Sequence, residues 1–216
     1  MDPQFWKQRW MDDRIGFHQE EINPYLKPYW PQSPDAQRIL VPLCGKSLDL
    51  RFLATFGAVT GVELSDIAIA DFFSEWRVAA ESTEMDGVPC TSGRGVELIQ
   101  GDFFALPTSL NGRFTHAFDR AAMIALPPQQ HRLYIAQLAR LLTADGSVLS
   151  VTIEYTQAEM LGPPFSISVN DMKSATRGYF HVEVLDSVDT WRPDSRLAEE
   201  GLTSLQTHIF RLSKAQ

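Results

Sequence analysis

The chain contains the stretch RILVPLCGKSLDLRFLATFGAVTGVELS, residues 38–65, which carries the main indication of its architecture. An apolar run at 39–41 leads into a loop with Gly45, a helix-like segment follows, and a second short run ends at Glu63. This order of strand, loop, helix, strand and acid is typical of parallel α/β sheets that bind nucleosides. In such sheets the loop lets the ligand approach the backbone, and the acid accepts hydrogen bonds from ribose hydroxyls.

The spacing within this unit narrows the class of ligand. Glu63 lies 18 residues after Gly45, close to the ~20 residues expected for a ribose-binding acid. The loop carries one glycine, whereas the dinucleotide fingerprint G-x-G-x-x-G requires three. The pattern therefore favours a nucleoside over a pyrophosphate.

The composition argues against several other kinds of protein. The chain carries 19 Lys and Arg against 27 Asp and Glu, a formal charge of −8, and no basic stripe, which disfavours nucleic acid and anionic membranes as partners. Two cysteines, Cys44 and Cys90, are too few for a disulfide framework or a zinc site, so no metal is expected. The sequence shows neither a signal-peptide core nor an apolar run near the roughly 18–20 residues of a membrane span. We therefore expect a cytoplasmic protein, monomeric by default.

The 216 residues predict a single domain, 1–216, in which residues 1–37 form an N-terminal extension rich in tryptophan and proline. From residue 38 onward short strands alternate with helical segments, which indicates a parallel sheet with helices on both faces. Strands are predicted at 38–42, 59–63, 96–99, 115–118, 146–153, 180–186 and 204–212. Helices are predicted at 46–56, 65–80, 128–142 and 169–176. The last two strands could form an antiparallel edge pair, while 81–97 and 187–203 are uninformative.

Ligands of open α/β sheets bind beyond the carboxyl ends of the strands, so the residues after each predicted strand are site candidates. Asp102, followed by two phenylalanines, could accept from an adenine amino group, or it could simply cap a helix over two core rings. Arg120 lies where a substrate is expected and offers a fixed charged fork, although the pair Asp119–Arg120 could also be a surface salt bridge.

Three further segments have a functional and a structural interpretation. The stiff loop Gly162-Pro163-Pro164-Phe165 could hold Phe165 over a ligand or could merely turn a corner. His18 is more often a hydrogen-bonded structural histidine than a base, and Cys44 has no histidine placed to activate it. The sequence contains no G-x-S-x-G elbow, P-loop or H-E-x-x-H, so hydrolase, kinase and metalloprotease functions have no support.

Taken together, these segments resemble the thiopurine S-methyltransferase family, and specifically its shorter bacterial members. The matching strings cover most of the chain: FWKQRW (5–10), IGFHQEEINPYL (15–26), ILVPLCGKSLDL (39–50), GVELS (61–65), GDFFAL (101–106), DRAAMIALPP (119–128) and GPPFSI (162–167). The resemblance implies the seven-stranded, mostly parallel sheet of S-adenosylmethionine-dependent methyltransferases, a Rossmann-like α/β fold with helices on both faces and an N-terminal lid. It also implies S-adenosylmethionine (SAM) as the cofactor.

The resemblance places roles on particular residues of this sequence. It implies cofactor contacts at Trp10, Leu43, Glu63 and Arg120. Asp102 is added to this set because it follows a predicted strand. It implies an acceptor pocket bordered by Phe17, Pro163, Pro164 and Phe165, and a lid formed by Trp6, Trp10 and Phe17.

The chemistry implied by the resemblance is direct transfer of a methyl group to the sulfur of an aromatic or heterocyclic thiol, or to selenium and tellurium compounds in metalloid detoxification. We expect Arg120 to stabilise the acceptor as its anion, and Asp119 to orient Arg120 or to accept a proton through water. Two alternatives remain: a SAM-binding protein without catalysis, and an NAD-dependent oxidoreductase, which the missing glycines disfavour.

Overall fold

The computed structural model of the protein describes residues 3–33 and 35–215. Residues 1, 2 and 34, which belong to the predicted extension 1–37, and residue 216 lie outside the described residues. The strands are β1 (Gln37–Pro42), β2 (Gly57–Glu63), β3 (Glu81–Met85), β4 (Val88–Gly93), β5 (Val96–Gln100), β6 (Phe114–Arg120), β7 (Leu142–Glu154), β8 (Phe180–Asp189) and β9 (Gln206–Lys214). The helices are α1 (Pro3–Met11), α2 (Leu26–Tyr29), α3 (Asp49–Leu53), α4 (Asp66–Trp76), α5 (Pro128–Leu141), α6 (Val169–Thr176) and α7 (Arg196–Glu199).

The described strands form one mixed sheet in the order β3-β4-β5-β2-β1-β6-β7-β9-β8. β1, β2, β5, β6 and β7 pair in parallel, whereas β9 runs antiparallel between β7 and β8. The predicted parallel centre and the antiparallel pair of the last two strands are therefore confirmed. The sheet has nine strands, so the prediction of seven was wrong.

The two additional strands form the hairpin β3–β4, which pairs antiparallel with β5 and extends the sheet at one edge. It lies in the segment 81–97 that the sequence left unassigned. Most side chains of β3 are exposed, so this strand has no alternation of apolar and polar residues to reveal it. The turn is Asp86-Gly87, with φ angles of 51° and 78°, the geometry that a two-residue hairpin turn requires.

Local backbone geometry shortens two predicted helices. The helix expected at 46–56 is α3, which covers only Asp49–Leu53. The loop before it runs through turns and contains two left-handed residues, Leu43 (φ 48°) and Gly45 (φ 53°). The helix expected at 65–80 is α4, which starts at the N-cap Ser65 and ends before Arg77, itself left-handed with φ 54°. The loop before α3 and the N-cap of α4 follow β1 and β2, so both lie at the edge of the sheet where these parallel strands end.

Two apolar layers cover the faces of the sheet, as the alternation of side chains along a strand requires. Ile39 and Val41 of β1 pack in a cluster with residues of α3 and α4, while Leu40 faces a second cluster built with α5 and α6. Helices on both faces are therefore confirmed. None of the helices in the described ranges combines the length and apolar character that crossing a bilayer requires.

Candidate active site

A cavity of about 440 Å³ opens at the edge of the sheet where the parallel strands end. Its walls come from the ends of β1, β2, β6 and β7, from the N-terminal segment, and from residues after β8. Its volume falls in the range of small-molecule sites, roughly 300–1,000 Å³. The cavity lies where ligands bind in open α/β sheets.

The loop after β1 forms the floor of the cavity. Leu43 and Cys44 line it, and the Cys44 N–H donates to the carbonyl oxygen of Val62 at 3.0 Å, which ties the loop to β2. A Cβ atom at Gly45 would lie 3.1 Å from Cζ2 of Trp10, so the indole sits directly over this glycine. Glycine is favoured here both by the left-handed φ and by this close approach.

Glu63, the last residue of β2, presents a buried carboxylate to the cavity, with 7% of the residue exposed. Oε2 accepts from the N–H of Gly45 at 2.9 Å, and Oε1 accepts from the N–H of Ser65 at 2.8 Å. Burial raises the pKa of Glu63, and these backbone donors act in the opposite direction. Each oxygen keeps further acceptor capacity, so the carboxylate can receive two hydroxyl groups.

Aromatic rings of the N-terminal segment cover the cavity from the other side. Phe17 makes edge-to-face contacts with Trp6 and Trp10, with ring centroids 5.5 and 5.6 Å apart. All three residues line the cavity, and Trp10 is buried. Trp10 and Phe17, which the sequence analysis assigned to the site, therefore line the same cavity.

Arg120, at the end of β6, enters the cavity and is held by Ser47 of the loop before α3 and by Asp49, the first residue of α3. Its Nη2 donates to Oδ2 of Asp49 at 3.1 Å and to Oγ of Ser47 at 3.0 Å, and its Nε donates to the same Asp49 oxygen at 3.3 Å. The acid that contacts Arg120 is Asp49, whereas Asp119 accepts from Met123 and Ser150. An orienting role for Asp119 stays a prediction.

Asp49 is a site residue that the sequence analysis missed. Its side chain is 2% exposed, and its Oδ1 accepts from the N–H of Asn23 at 2.7 Å. One carboxylate therefore connects the N-terminal segment to the arginine. The sequence signal for it is weak, an acid among the mostly apolar residues 48–53.

Asp119 faces away from the cavity because adjacent residues of a strand point to opposite faces. It is 1% exposed and is not among the cavity-lining residues. Its oxygens accept from the N–H of Met123 and the hydroxyl of Ser150, both at 3.1 Å. Burial raises the pKa of Asp119 to about 6. The hydroxyl of Tyr134, which has no hydrogen bond of good geometry among the described residues, interacts with the same carboxyl.

The loop after β7 reaches the cavity through its prolines. Pro163 and Pro164 line the cavity, and the hydroxyl of Tyr155 donates to the carbonyl oxygen of Pro164 at 2.6 Å. Phe165 is not a lining residue, since its ring packs against Gly162, where a Cβ atom would lie 2.8 Å from Cδ1 of the ring.

Asp102 lies beside the cavity and does not line it. Its Oδ1 accepts from the N–H of Phe104 at 3.0 Å and caps a short 3-10 helix, Phe103–Ala105. This is the structural alternative considered for Asp102, and its contact with an adenine stays a prediction.

Further lining residues come from the segment after β8 and from the N-terminal segment. The segment 187–203, which the sequence left unassigned, supplies Thr190, Arg196 and Leu197. His18 also lines the cavity, and burial followed by the charge of Lys46 lowers its pKa.

The thiol of Cys44 is not an activated nucleophile. Burial, followed by the nearby charge of Glu63, raises the pKa of Cys44 well above its ordinary value, and only the thiolate is reactive. Among the described residues, no cluster of three or more His, Cys, Asp or Glu side chains could hold a metal ion.

Comparison with known proteins identifies the family to which this chain belongs. The model of the thiopurine S-methyltransferase family matches residues 1–215. The chain belongs to the thiopurine S-methyltransferase family. It is 43% identical to a thiopurine S-methyltransferase of Pseudomonas putida over 99% of this chain and 100% of that one. A thiopurine S-methyltransferase of Xanthomonas campestris pv. campestris is 39% identical, with coverage of 99% and 100%.

A solved structure shares the fold at low sequence identity. The 1,6-didemethyltoxoflavin-N1-methyltransferase of Burkholderia thailandensis, which holds 1,6-didemethyltoxoflavin and S-adenosylhomocysteine, superimposes with a TM-score of 0.69. The two proteins are 17% identical, and the match covers 99% of this chain and 87% of that one.

The protein is therefore a SAM-dependent methyltransferase of the thiopurine S-methyltransferase family, and its cofactor is SAM. The residues present fit that cofactor: the Glu63 carboxylate suits the two hydroxyls of a ribose, and the loop at Gly45 lets a ligand reach the backbone.

Proposed function

We propose that the protein transfers the methyl group of SAM to the sulfur of aromatic and heterocyclic thiols. The observation that supports this is the joint lining of one cavity by the Glu63 carboxylate, aromatic and proline side chains, and Arg120. Flat apolar walls suit an aromatic acceptor, and a guanidinium beside them suits a sulfur that reacts as its anion.

SAM supplies a methyl group activated by the positive charge of its sulfonium. The protein's part is to position the reactants: Glu63 and the Gly45 loop hold the nucleoside, while Phe17 and the two prolines border the acceptor. Positioning of this kind is worth up to ~7–11 kcal/mol of the barrier. Because a thiolate and a sulfonium lose their charges as they react, walls that exclude water favour the transfer.

Arg120 is proposed to hold the acceptor anion, and the ion pair with Asp49 fixes the guanidinium for that purpose. Asp119 is proposed to act from outside the cavity. Its bond to the Met123 N–H holds the turn that follows Arg120, which suits a positioning role better than proton transfer.

We propose that residues 1–37 act as a lid. The contacts that support it are the position of Trp10 over Gly45 and the lining by Trp6 and Phe17. We further propose that the whole chain forms one domain and acts as a monomer in the cytoplasm. Its partners are proposed to be small molecules and not nucleic acids. Soft selenium and tellurium acceptors are proposed to replace sulfur.

An acceptor screen tests the proposed function. Purified protein is incubated with SAM and with thiophenol or 6-mercaptopurine, and formation of S-adenosylhomocysteine is measured. Phenol and hypoxanthine, the matching oxygen compounds, serve as controls. We expect turnover with the sulfur compounds only. Equal turnover with the oxygen compounds, or no turnover with any thiol, contradicts the proposal.

The proposed role of Glu63 is tested by Glu63→Gln, which can no longer accept from both backbone donors and two hydroxyls. We expect the affinity for SAM to fall by about 1–3 kcal/mol, measured by titration calorimetry. Glu81→Gln, at an exposed position on β3, is the control and should bind SAM normally. Unchanged affinity of the Glu63 variant excludes this residue as the ribose ligand.

A further inference from the structure

The cavity lining contains four lysine and arginine side chains, and three of them have an acidic partner. Lys46 pairs with Asp71 and Glu75, Arg120 pairs with Asp49, and Arg196 pairs with Glu200. Arg9 forms no ion pair with any acid of the described ranges. Its guanidinium lies 5.5 Å from the ring centre of Phe5.

The Nε atom of Arg9 is buried and has no hydrogen-bond partner in the described part of the chain. A buried donor without an acceptor is destabilising, and such groups are few in native proteins. An orphaned arginine at the wall of a ligand cavity therefore indicates an acceptor that arrives with the ligand.

The position of Arg9 agrees with such a role. Trp6, Arg9 and Trp10 are spaced i, i+3 and i+4 along α1, so they share one helix face, and all three line the cavity. Trp10 touches the Gly45 loop. The guanidinium is thus carried by the helix that covers the cofactor loop.

We propose that Arg9 binds the carboxylate of a ligand in this cavity. A guanidinium presents a planar fork of N–H donors that matches a carboxylate through two parallel hydrogen bonds. This inference rests on the proposed function. The carboxylate belongs either to the methionine portion of SAM or to an acidic substituent on the aromatic acceptor, and the two sources are distinguished by experiment.

The first arm of the test measures cofactor binding by titration calorimetry, with S-adenosylhomocysteine and with 5′-methylthioadenosine, which lacks the amino-acid portion. If the carboxylate comes from the cofactor, Arg9→Gln weakens S-adenosylhomocysteine by about tenfold or more and leaves 5′-methylthioadenosine unchanged. Arg9→Lys, which keeps the charge without the fork, should show a smaller loss.

The second arm compares kcat/KM for 4-mercaptobenzoate and 4-methylthiophenol. If the carboxylate comes from the acceptor, Arg9→Gln lowers kcat/KM for 4-mercaptobenzoate by about tenfold or more relative to 4-methylthiophenol. In that case S-adenosylhomocysteine binding is unchanged. Arg14→Gln is the matched control in both arms, because Arg14 is exposed, pairs with Asp12 and does not line the cavity.

A selective loss in either arm supports the proposal and identifies the source of the carboxylate. The proposal is overturned if both arms match Arg14→Gln, or if the ligands with and without a carboxylate lose equally. Circular dichroism of each variant confirms the fold. A wild-type protein that methylates no thiol, but whose Arg9 variant still loses S-adenosylhomocysteine selectively, refutes the proposed acceptor class and leaves the role of Arg9 intact.

Discussion

Replacing Asp49 with asparagine tests whether one buried carboxylate holds the site together. The carboxylate accepts from Arg120, from Ser47 and from the N–H of Asn23, at 2.7–3.3 Å. An asparagine oxygen can keep the bond to Asn23, but its NH₂ group then faces the guanidinium of Arg120, donor against donor. The variant leaves a charge unpaired in a largely buried place, where the Arg120 side chain is 12% exposed.

Breaking a buried ion pair in this way costs about 3–5 kcal/mol, and we expect the lower end because Arg120 retains some contact with solvent. For a chain of this length about 3 kcal/mol corresponds to a fall of roughly 6–12 °C in Tm. We also expect kcat/KM for a thiol to drop by ten- to about a hundredfold, since a misplacement near 1 Å can cost about 100-fold.

The assay is thermal unfolding followed by circular dichroism, together with steady-state kinetics. Asp71→Asn is the control, because Asp71 also pairs with a cavity-lining cation but its side chain is 44% exposed, and exposed pairs contribute about 0–1 kcal/mol. If Asp49→Asn unfolds within 2 °C of Asp71→Asn by this scale and keeps normal turnover, the carboxylate does not position Arg120.

Two further changes test the Gly45 loop and the buried acid Asp119. Gly45→Ala adds a Cβ atom 3.1 Å from Trp10 at a left-handed φ of 53°, so it should weaken SAM binding and cost about 1–2 kcal/mol of stability. Gly112→Ala, with φ 62° and open space around the added atom, should show the backbone cost alone, and equal SAM affinity in the two variants would contradict the contact with Trp10. For Asp119, whose pKa is raised to about 6 from 3.8, the folded state binds more protons than the unfolded state between these values. The free energy of unfolding of the wild type, relative to that of Asp119→Asn, should therefore be highest below pH 3.8 and fall as pH rises through about 6, by roughly 3 kcal/mol in denaturant titrations. A difference that does not change over this pH range would show that the pKa of Asp119 is not raised.

The residues that could be predicted from sequence are those whose role depends on local order along the chain. β1, the Gly45 loop, β2 and Glu63 lie within 27 consecutive residues, and the strand-end rule places their functional groups at one edge. Glu63 does face the cavity, because it ends a strand whose alternation puts its side chain there.

The partner of Arg120 could not be read in this way because it depends on tertiary packing. Asp119 is adjacent in sequence but points to the opposite face of β6, whereas Asp49 is 71 residues away and meets Arg120 only in the folded sheet. Alternation along the strand would have separated Asp119 from Arg120.

The hairpin β3–β4 was missed for a different reason. Its strands are mostly polar or half-buried, so apolar periodicity does not mark them, yet the dipeptide Asp86-Gly87 is a strong local signal for a two-residue turn. A search for turn residues, in addition to apolar runs, would have found it.

The hairpin also changes which strand meets solvent at the end of the sheet. A free strand edge offers unpaired N–H and C=O groups to another chain, and charged side chains there discourage intermolecular pairing. The outermost strands are β3 and β8, and they expose Glu81 and Glu84 on one side and Glu183 and Asp189 on the other. Glu183 pairs with Arg211, so the like charges count mainly at β3. Two copies approaching through β3 would bring carboxylates of like charge together, which disfavours backbone pairing at that edge.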